Sequence, residues 1–344
     1  MSRSAGGRRV RRGTALAVAA VLLAAAPACS ARSAARPQTG AVAGSGTQRA
    51  EGAPPDDTFV PYDVRPLLKP AHKYLGAALD GVPQSLAPVT EYAAETGKRP
   101  NLLEYYAAWG DQFDARGVRN AWSSGALPLM AWEPFTPSLA RIASGATDGY
   151  LRKFADDVRT LNIPLAISFG HEMNGHWYPW GTKQNTADDF VRAWRHVYDI
   201  FVEVGAVNVI WVWSPNVINP VPNTPLRPLY PGDEYVDWIG VVGYYTVKGA
   251  HTFPTLFRPT MTTIRQFTRR PFLLAETGAE QGPDKAANVA DLFSGVAAAP
   301  DIVGFVWFEF AKRGDWRITA DPSALAEFRR RAANPLFGFD PKHS

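Results

Sequence analysis

The sequence has one cysteine in 344 residues, which excludes a disulfide framework within the chain. Acidic residues are missing from positions 1–28, where five arginines stand: Arg3, Arg8, Arg9, Arg11 and Arg12. Removing that segment takes the formal charge from +4 to −1, so nucleic acid drops out as a default partner. The apolar run at 14–26 is too short for a stable membrane span. Residues 30–57 have almost no large apolar side chain, cannot bury a core and read as a flexible tether. No G-x-G-x-x-G phosphate loop follows the first strand-like run, and no internal repeat of fixed period is present.

The rest of the composition supports a folded body. At 46% hydrophobic and 20% charged, most of the chain can bury a core, and wholesale disorder is excluded. The arginine-rich start and the apolar run read as an export signal over residues 1–28. Ala26-Pro27-Ala28-Cys29 then has two readings. One is an ordinary cleavage site. The other is a lipoprotein site, with Cys29 as the lipidation candidate and the sole means of membrane attachment. The paired arginines point weakly to the twin-arginine route. A tether over 29–60, one domain over 61–336 and a short tail over 337–344 complete the organisation.

From about residue 70, short apolar runs alternate with longer amphipathic ones. The strand candidates are 74–79, 102–107, 126–132, 164–170, 209–213, 236–243, 272–276 and 302–308. Most lack a polar alternate, as strands buried on both faces should. Helix candidates include 147–161, 186–204, 284–298 and 323–331, with Thr186 as an N-cap before two acids. Eight β/α units over some 260 residues fit an α/β (β/α)8 TIM barrel, with a doubly wound sheet as the alternative. In a barrel the active site lies at the C-terminal strand ends. Reactive and aromatic residues do collect there: Trp109, Trp132, Glu133, His171, Glu172, Trp213, Tyr244, Glu276 and Trp307.

The fourth run leads into His171-Glu172-Met173-Asn174-Gly175-His176-Trp177-Tyr178-Pro179-Trp180-Gly181, a density of functional groups that core packing does not require. The seventh run ends on Glu276, where a charge is costly unless solvated, paired or put to use. Two carboxylates on the fourth and seventh strands of a barrel can face each other across its mouth. Retaining glycoside hydrolysis needs such a pair, about 5–5.5 Å apart. Glu172, flanked by His171 and Trp177, suits the acid/base; Glu276, with Tyr244 as a hydrogen-bond donor, suits the nucleophile. A zinc site is disfavoured, because His171 and His176 are five apart rather than at the i, i+4 helical spacing. Of Trp211 and Trp213, one is expected in the core and Trp213, nearer the strand end, at the mouth. The aromatic rings offer flat faces on which sugars can stack.

These residues resemble glycoside hydrolase family 26. The segment from His171 through Gly181 looks like its strand-4 signature, Ala275-Glu276-Thr277 like its strand-7 segment, and Asp237-Trp238-Ile239-Gly240 with Tyr244 like its strand-6 segment. The resemblance spans roughly residues 70–335. It implies a retaining endo-acting enzyme, chiefly a β-mannanase, with mixed-linkage β-glucanases and β-1,3-xylanases among the members. It implies Glu172 as acid/base and Glu276 as nucleophile, with His171, Trp177, Tyr244 and Trp307 lining the cleavage subsite. One departure stands out. Trp132-Glu133-Pro134 occupies the position where mannanases of the family tend to carry Trp-His.

The expectation is therefore an exported monomer that cleaves internal β-linkages of a polysaccharide by double displacement, without metal or cofactor. Trp132, Glu133, Asn174, Trp180 and Trp213 are expected to contact the glycan as well. Two alternatives stay open: a non-catalytic glycan-binding barrel, and a retaining hydrolase of the producer's own exopolysaccharide or cell-wall glycan.

Overall fold

Eight strands close into a parallel barrel in sequence order: β1 (Tyr74–Ala78), β2 (Leu102–Ala108), β3 (Leu127–Glu133), β4 (Leu165–Phe169), β5 (Val209–Trp213), β6 (Trp238–Tyr245), β7 (Phe272–Ala279) and β8 (Ile302–Phe308). The structure is a computed structural model that describes residues 59–249 and 252–343. The expected export segment, Cys29 and nearly all of the tether lie outside the described residues. From Val60 onward the chain forms one unit. Five-residue pairing of β1 with β8 closes the ring and removes the doubly wound alternative.

Helices fill the connections: α1 (Arg65–Leu68), α2 (Ala87–Thr96), α3 (Ala115–Ser123), α4 (Leu139–Ala143), α5 (Asp148–Leu161), α6 (Ala187–Val204), α7 (Phe253–Leu256), α8 (Arg258–Ile264), α9 (Lys285–Ala298) and α10 (Pro322–Ala332). The start of α6 is the one its sequence announces. Thr186 accepts from the Asp189 N–H, and Asp189 accepts from the Thr186 N–H. Such a capping box contributes about 1 kcal/mol.

Alternate residues of each strand face opposite layers. Leu102, Leu127, Leu129, Ala166, Ile210, Val212, Leu273, Ala275, Val306 and Phe308 fill the barrel interior. Their strand neighbours Leu103, Met130, Trp132, Ile167, Trp211, Trp213, Leu274, Phe305 and Trp307 pack outward against the helices. Residues two apart share a face, so Trp211 and Trp213 both point outward while Ile210 and Val212 point in.

The N-terminal end of the barrel is plugged by Tyr74, whose ring lies 4.8 Å from Phe339 and 5.5 Å from Trp238. The expected tail at 337–344 is thus part of the body over its described length. Phe337 packs on Phe293 and Phe305, and the Gly338 N–H donates to the Lys73 carbonyl.

Candidate active site

The acid-bearing loop begins where β4 stops. Gly170 has φ +57° and Glu172 has φ +54°. A left-handed glutamate costs about 1–3 kcal/mol, and such strain persists only where surroundings impose it. Here the Glu172 N–H donates to the Ser214 carbonyl at 2.6 Å, and the Gly175 N–H returns to the Glu172 carbonyl at 2.8 Å. The loop is closed by Thr182, whose N–H meets the Gly175 carbonyl at 2.8 Å. Trp180 lies beneath it, stacked flat on Tyr178 at 4.4 Å, with its indole N–H on the His171 carbonyl.

Glu172 is held at both carboxyl oxygens. Trp177 Nε1 donates to Oε2 at 2.8 Å, and Asn216 Nδ2 donates to Oε1. Burial pushes its carboxyl up to about 7, helped by the negative charge of Glu276; the two donors and Arg313 oppose the rise. A carboxyl of that kind is protonated near neutral pH and can give its proton away.

Glu276 reaches the mouth through an irregularity of its strand. Leu273 and Ala275 face the interior, so strict alternation would turn Glu276 toward the helices. Register shifts fall between Gly240 and Val242 on β6 and between Leu274 and Thr277 on β7. A bulge of this type re-aims side chains, and here it turns a carboxylate toward the strand-end rim. The Glu276 carboxylate accepts from Tyr244 Oη on one oxygen and from Tyr106 Oη on the other. Burial raises its pKa, while the two hydroxyls and Lys312 oppose that rise by favouring the anion. The two glutamates therefore sit in contrasting surroundings at one strand-end rim.

Below Tyr106 on the same face of β2 is Glu104. It is buried with one carboxyl oxygen unpartnered, and burial together with the Glu276 charge drives its pKa well above the carboxylate range. The proton shared by this pair belongs on Glu104, because Glu276 holds the hydrogen-bond donors. Glu133, at the end of β3, is pushed up to about 7 by burial and by Glu276, with Lys312 opposing. Lys312 lies over the rings of Tyr106 and Phe310. His171 is buried and held down to about 4, so it is a neutral ring; its Nε2 lies 3.3 Å from Tyr178 Oη.

The structure brings Glu172, Glu276, Tyr244, Trp177, His171 and Glu133 to one rim. It moves five other expected contacts elsewhere. Trp132, Trp213 and Trp307 are fully buried on the outward faces of β3, β5 and β8. Trp132 stacks on Trp109 and Phe154, Trp213 meets Tyr230, and Trp307 meets Phe328 of α10. On β8 the inward residue is Phe308, edge-on to Tyr244. Trp180 is covered by Tyr178, and the Asn174 amide is spent on the backbone of Asn216 at both ends. Glu309 is likewise spent on Ile318 and Thr319, whereas Trp316 lies half-buried against Tyr244 at 4.6 Å.

Tyr106, Asn216, Glu104 and Lys312 did not stand out in the sequence. A signal existed for two of them. Glu104 and Tyr106 form a period-2 polar stripe inside an otherwise apolar run. Among the described residues no group of three His, Cys, Asp or Glu side chains is placed to hold a metal ion. His176 lies exposed and edge-on to Trp177 rather than beside His171.

Residues 140–270 match the family model described as glycosyl hydrolase family 26, a span holding Glu172, Asn216 and Tyr244. Endoglucanase H of Acetivibrio thermocellus is 28% identical over 263 residues, covering 72% of this chain and 29% of that protein. A mannan endo-1,4-beta-mannosidase of Bacillus subtilis (strain 168) is 29% identical over 220 residues, covering 51% of this chain and 60% of that protein. The chain thus spans less than two thirds of the length of these relatives. Among solved structures, a mannanase from Bacillus subtilis matches with TM-score 0.59 at 18% identity, over 78% of this chain and 86% of that one. An endo-beta-1,4-mannanase double mutant from Cellulomonas fimi matches with TM-score 0.61 at 17% identity, over 80% and 74%. At those identities the likeness is one of fold. Together with the matched acid-bearing segment, these likenesses make the chain similar to glycoside hydrolase family 26 over residues 140–270.

Proposed function

We propose that the chain is a retaining endo-β-glycosidase that hydrolyses internal β-linkages of a polysaccharide of the β-mannan or mixed-linkage β-glucan type. The observation that carries the reading is the paired treatment of two glutamates. One is buried and near-neutral in pKa, the other is held as an anion by two tyrosine hydroxyls. The similarity to an endoglucanase and to mannan endo-1,4-beta-mannosidases supports this substrate class.

In the first step a Glu276 oxygen attacks the anomeric carbon. The bond from that carbon to the leaving oxygen breaks, and Glu172 transfers its proton to that oxygen. A glycosyl ester on Glu276 results. In the second step water attacks the same carbon while the Glu172 carboxylate takes one of its protons. The ester bond breaks, returning Glu276 as carboxylate and Glu172 as acid. The half-buried rings of Trp177 and Trp316, with Tyr244, offer the sugar-facing surface. Glu133, at the same rim and beside the Lys312 charge, is a candidate partner for a sugar hydroxyl. No cofactor enters the reaction as proposed. The working form is an exported monomer, either freed by cleavage or anchored by lipid on Cys29.

The test is product analysis on mannan, mixed-linkage glucan, β-1,3-xylan and the producer's own polysaccharides. The reading expects oligosaccharides with new reducing ends from at least one of them. It also expects Glu172→Ala and Glu276→Ala to fold normally and lose about 10²–10⁴-fold or more in rate. Oligosaccharide binding with no reducing ends released across the panel would favour a glycan-binding barrel instead.

A further inference from the structure

Asn216 sits in the connection between β5 and β6 and is 7% exposed. Its N–H donates to Asn174 Oδ1 at 2.8 Å, and its carbonyl accepts from Asn174 Nδ2 at 2.8 Å. The loops after β4 and β5 are thereby clasped together by a fully buried amide. A third strand joins the clasp, since the Val217 N–H donates to the Val242 carbonyl of β6 at 2.8 Å. With its backbone fixed on two sides, Asn216 presents Nδ2 to Glu172 Oε1, while its Oδ1 is buried without a partner. With Glu172 ionised, that contact dictates the amide orientation, because a carboxylate oxygen can only accept.

From this geometry we propose that Asn216 is a positioning residue of the reaction: clasped by Asn174, it fixes the carboxyl plane of Glu172 and stabilises its ionised form, the form that takes a proton from water in the second step. The inference rests on the two-glutamate reading above. Asn216 and Trp177 make a matched pair of donors, one per oxygen, so the carboxyl has no freedom to rotate away from the scissile bond. Rotational freedom at a reacting group is costly in rate. The charged and titratable groups that face Glu172 are Glu276 from β7, Tyr244 from β6, Arg313 from the loop after β8, and Tyr178 from its own loop. None of these is altered by a change at position 216.

A donor to the ionised form lowers the pKa, so its removal raises that of Glu172. The experiment compares wild type with Asn216→Leu, which keeps the volume and the backbone clasp but removes the donor. Glu172 is titrated directly by carbon-13 NMR of glutamate carboxyls, with Glu172→Gln assigning the resonance. The expected result is an upward shift of about one pH unit in its midpoint. On a hydrolysed glycan, the alkaline limb of kcat/KM moves up by the same amount. At the wild-type optimum kcat falls about 10–100-fold, while KM changes less than about 3-fold. A folded Asn216→Leu protein with an unmoved midpoint and an unmoved alkaline limb overturns the proposal. If the leucine variant fails to fold, Asn216→Ser, too short to reach Glu172, is read the same way. The titration reports on Asn216 with or without a known substrate, and the product analysis reports separately on the hydrolase reading.

Discussion

Tyr106 and Tyr244 each give a hydroxyl to one oxygen of Glu276, and that pairing decides how the proposed nucleophile stays ionised in a buried site. Removing either donor favours the protonated carboxyl, so the acidic limb of kcat/KM should move to higher pH in Tyr106→Phe and in Tyr244→Phe. Each should lose about tenfold at the wild-type optimum, as expected for one hydrogen bond to a charged group. A pH–rate profile checks this, and an acidic limb that stays in place removes the tyrosines from that role. Glu104 carries a different consequence. Its folded pKa is raised above the unfolded value, so the native state keeps a proton that the unfolded chain gives up. Stability therefore falls as pH rises from about 4.5 toward the folded pKa. Glu104→Gln removes that loss. Its melting temperature should exceed the wild-type value at pH 7–8, with the gain shrinking toward pH 4. A series of melting curves across pH tests it, and a constant difference at all pH values contradicts it. Glu172, Glu276 and Tyr244 were legible in the sequence because each ends or follows an apolar run. Asn216 was not, since its partners lie in the loop after another strand and become neighbours only when the barrel closes.

At the scale of elements, the tryptophans divide by strand face. An apolar run announces a strand, yet it does not say which of two adjacent residues turns inward, because both faces of a barrel strand are buried. That is why Trp132, Trp213 and Trp307 read as cleft residues and proved to be packing against helices. The same ambiguity hid the bulge that turns Glu276 into the mouth. The division predicts opposite phenotypes. Trp307→Ala should cost about 3–5 kcal/mol of stability, as removal of a fully buried ring does, and leave KM nearly unchanged in the folded fraction. Trp177→Phe should leave the melting temperature within about 3 °C and lower kcat, since it deletes the indole donor to Glu172. Thermal melts and steady-state kinetics on the two variants separate the classes. A stable Trp307→Ala with a raised KM would return Trp307 to the cleft. The α6 capping box was readable in advance because its signal, Thr186 before Asp189, is wholly local.

The whole molecule is a nearly neutral barrel once the arginine-rich start is set aside, and a near-neutral working domain suits an uncharged glycan. Barrel topology was legible from the count and spacing of apolar runs, because parallel strands buried on both faces leave few alternatives. The seating of residues 337–343 against the first strand was not, since a short polar-flanked end resembles a tail until its two phenylalanines find Tyr74 and Phe293. The proposed mechanism is covalent catalysis by Glu276 assisted by Glu172. It is tested most directly by incubating the protein with a 2-deoxy-2-fluoro glycoside of an accepted sugar carrying a dinitrophenolate leaving group. The slowed second step lets the glycosyl ester accumulate. Intact-protein mass spectrometry should show one added sugar, and peptide mapping should place it on Glu276. Turnover of the glycoside with no adduct, or an adduct on Glu172, would rule out Glu276 as the nucleophile.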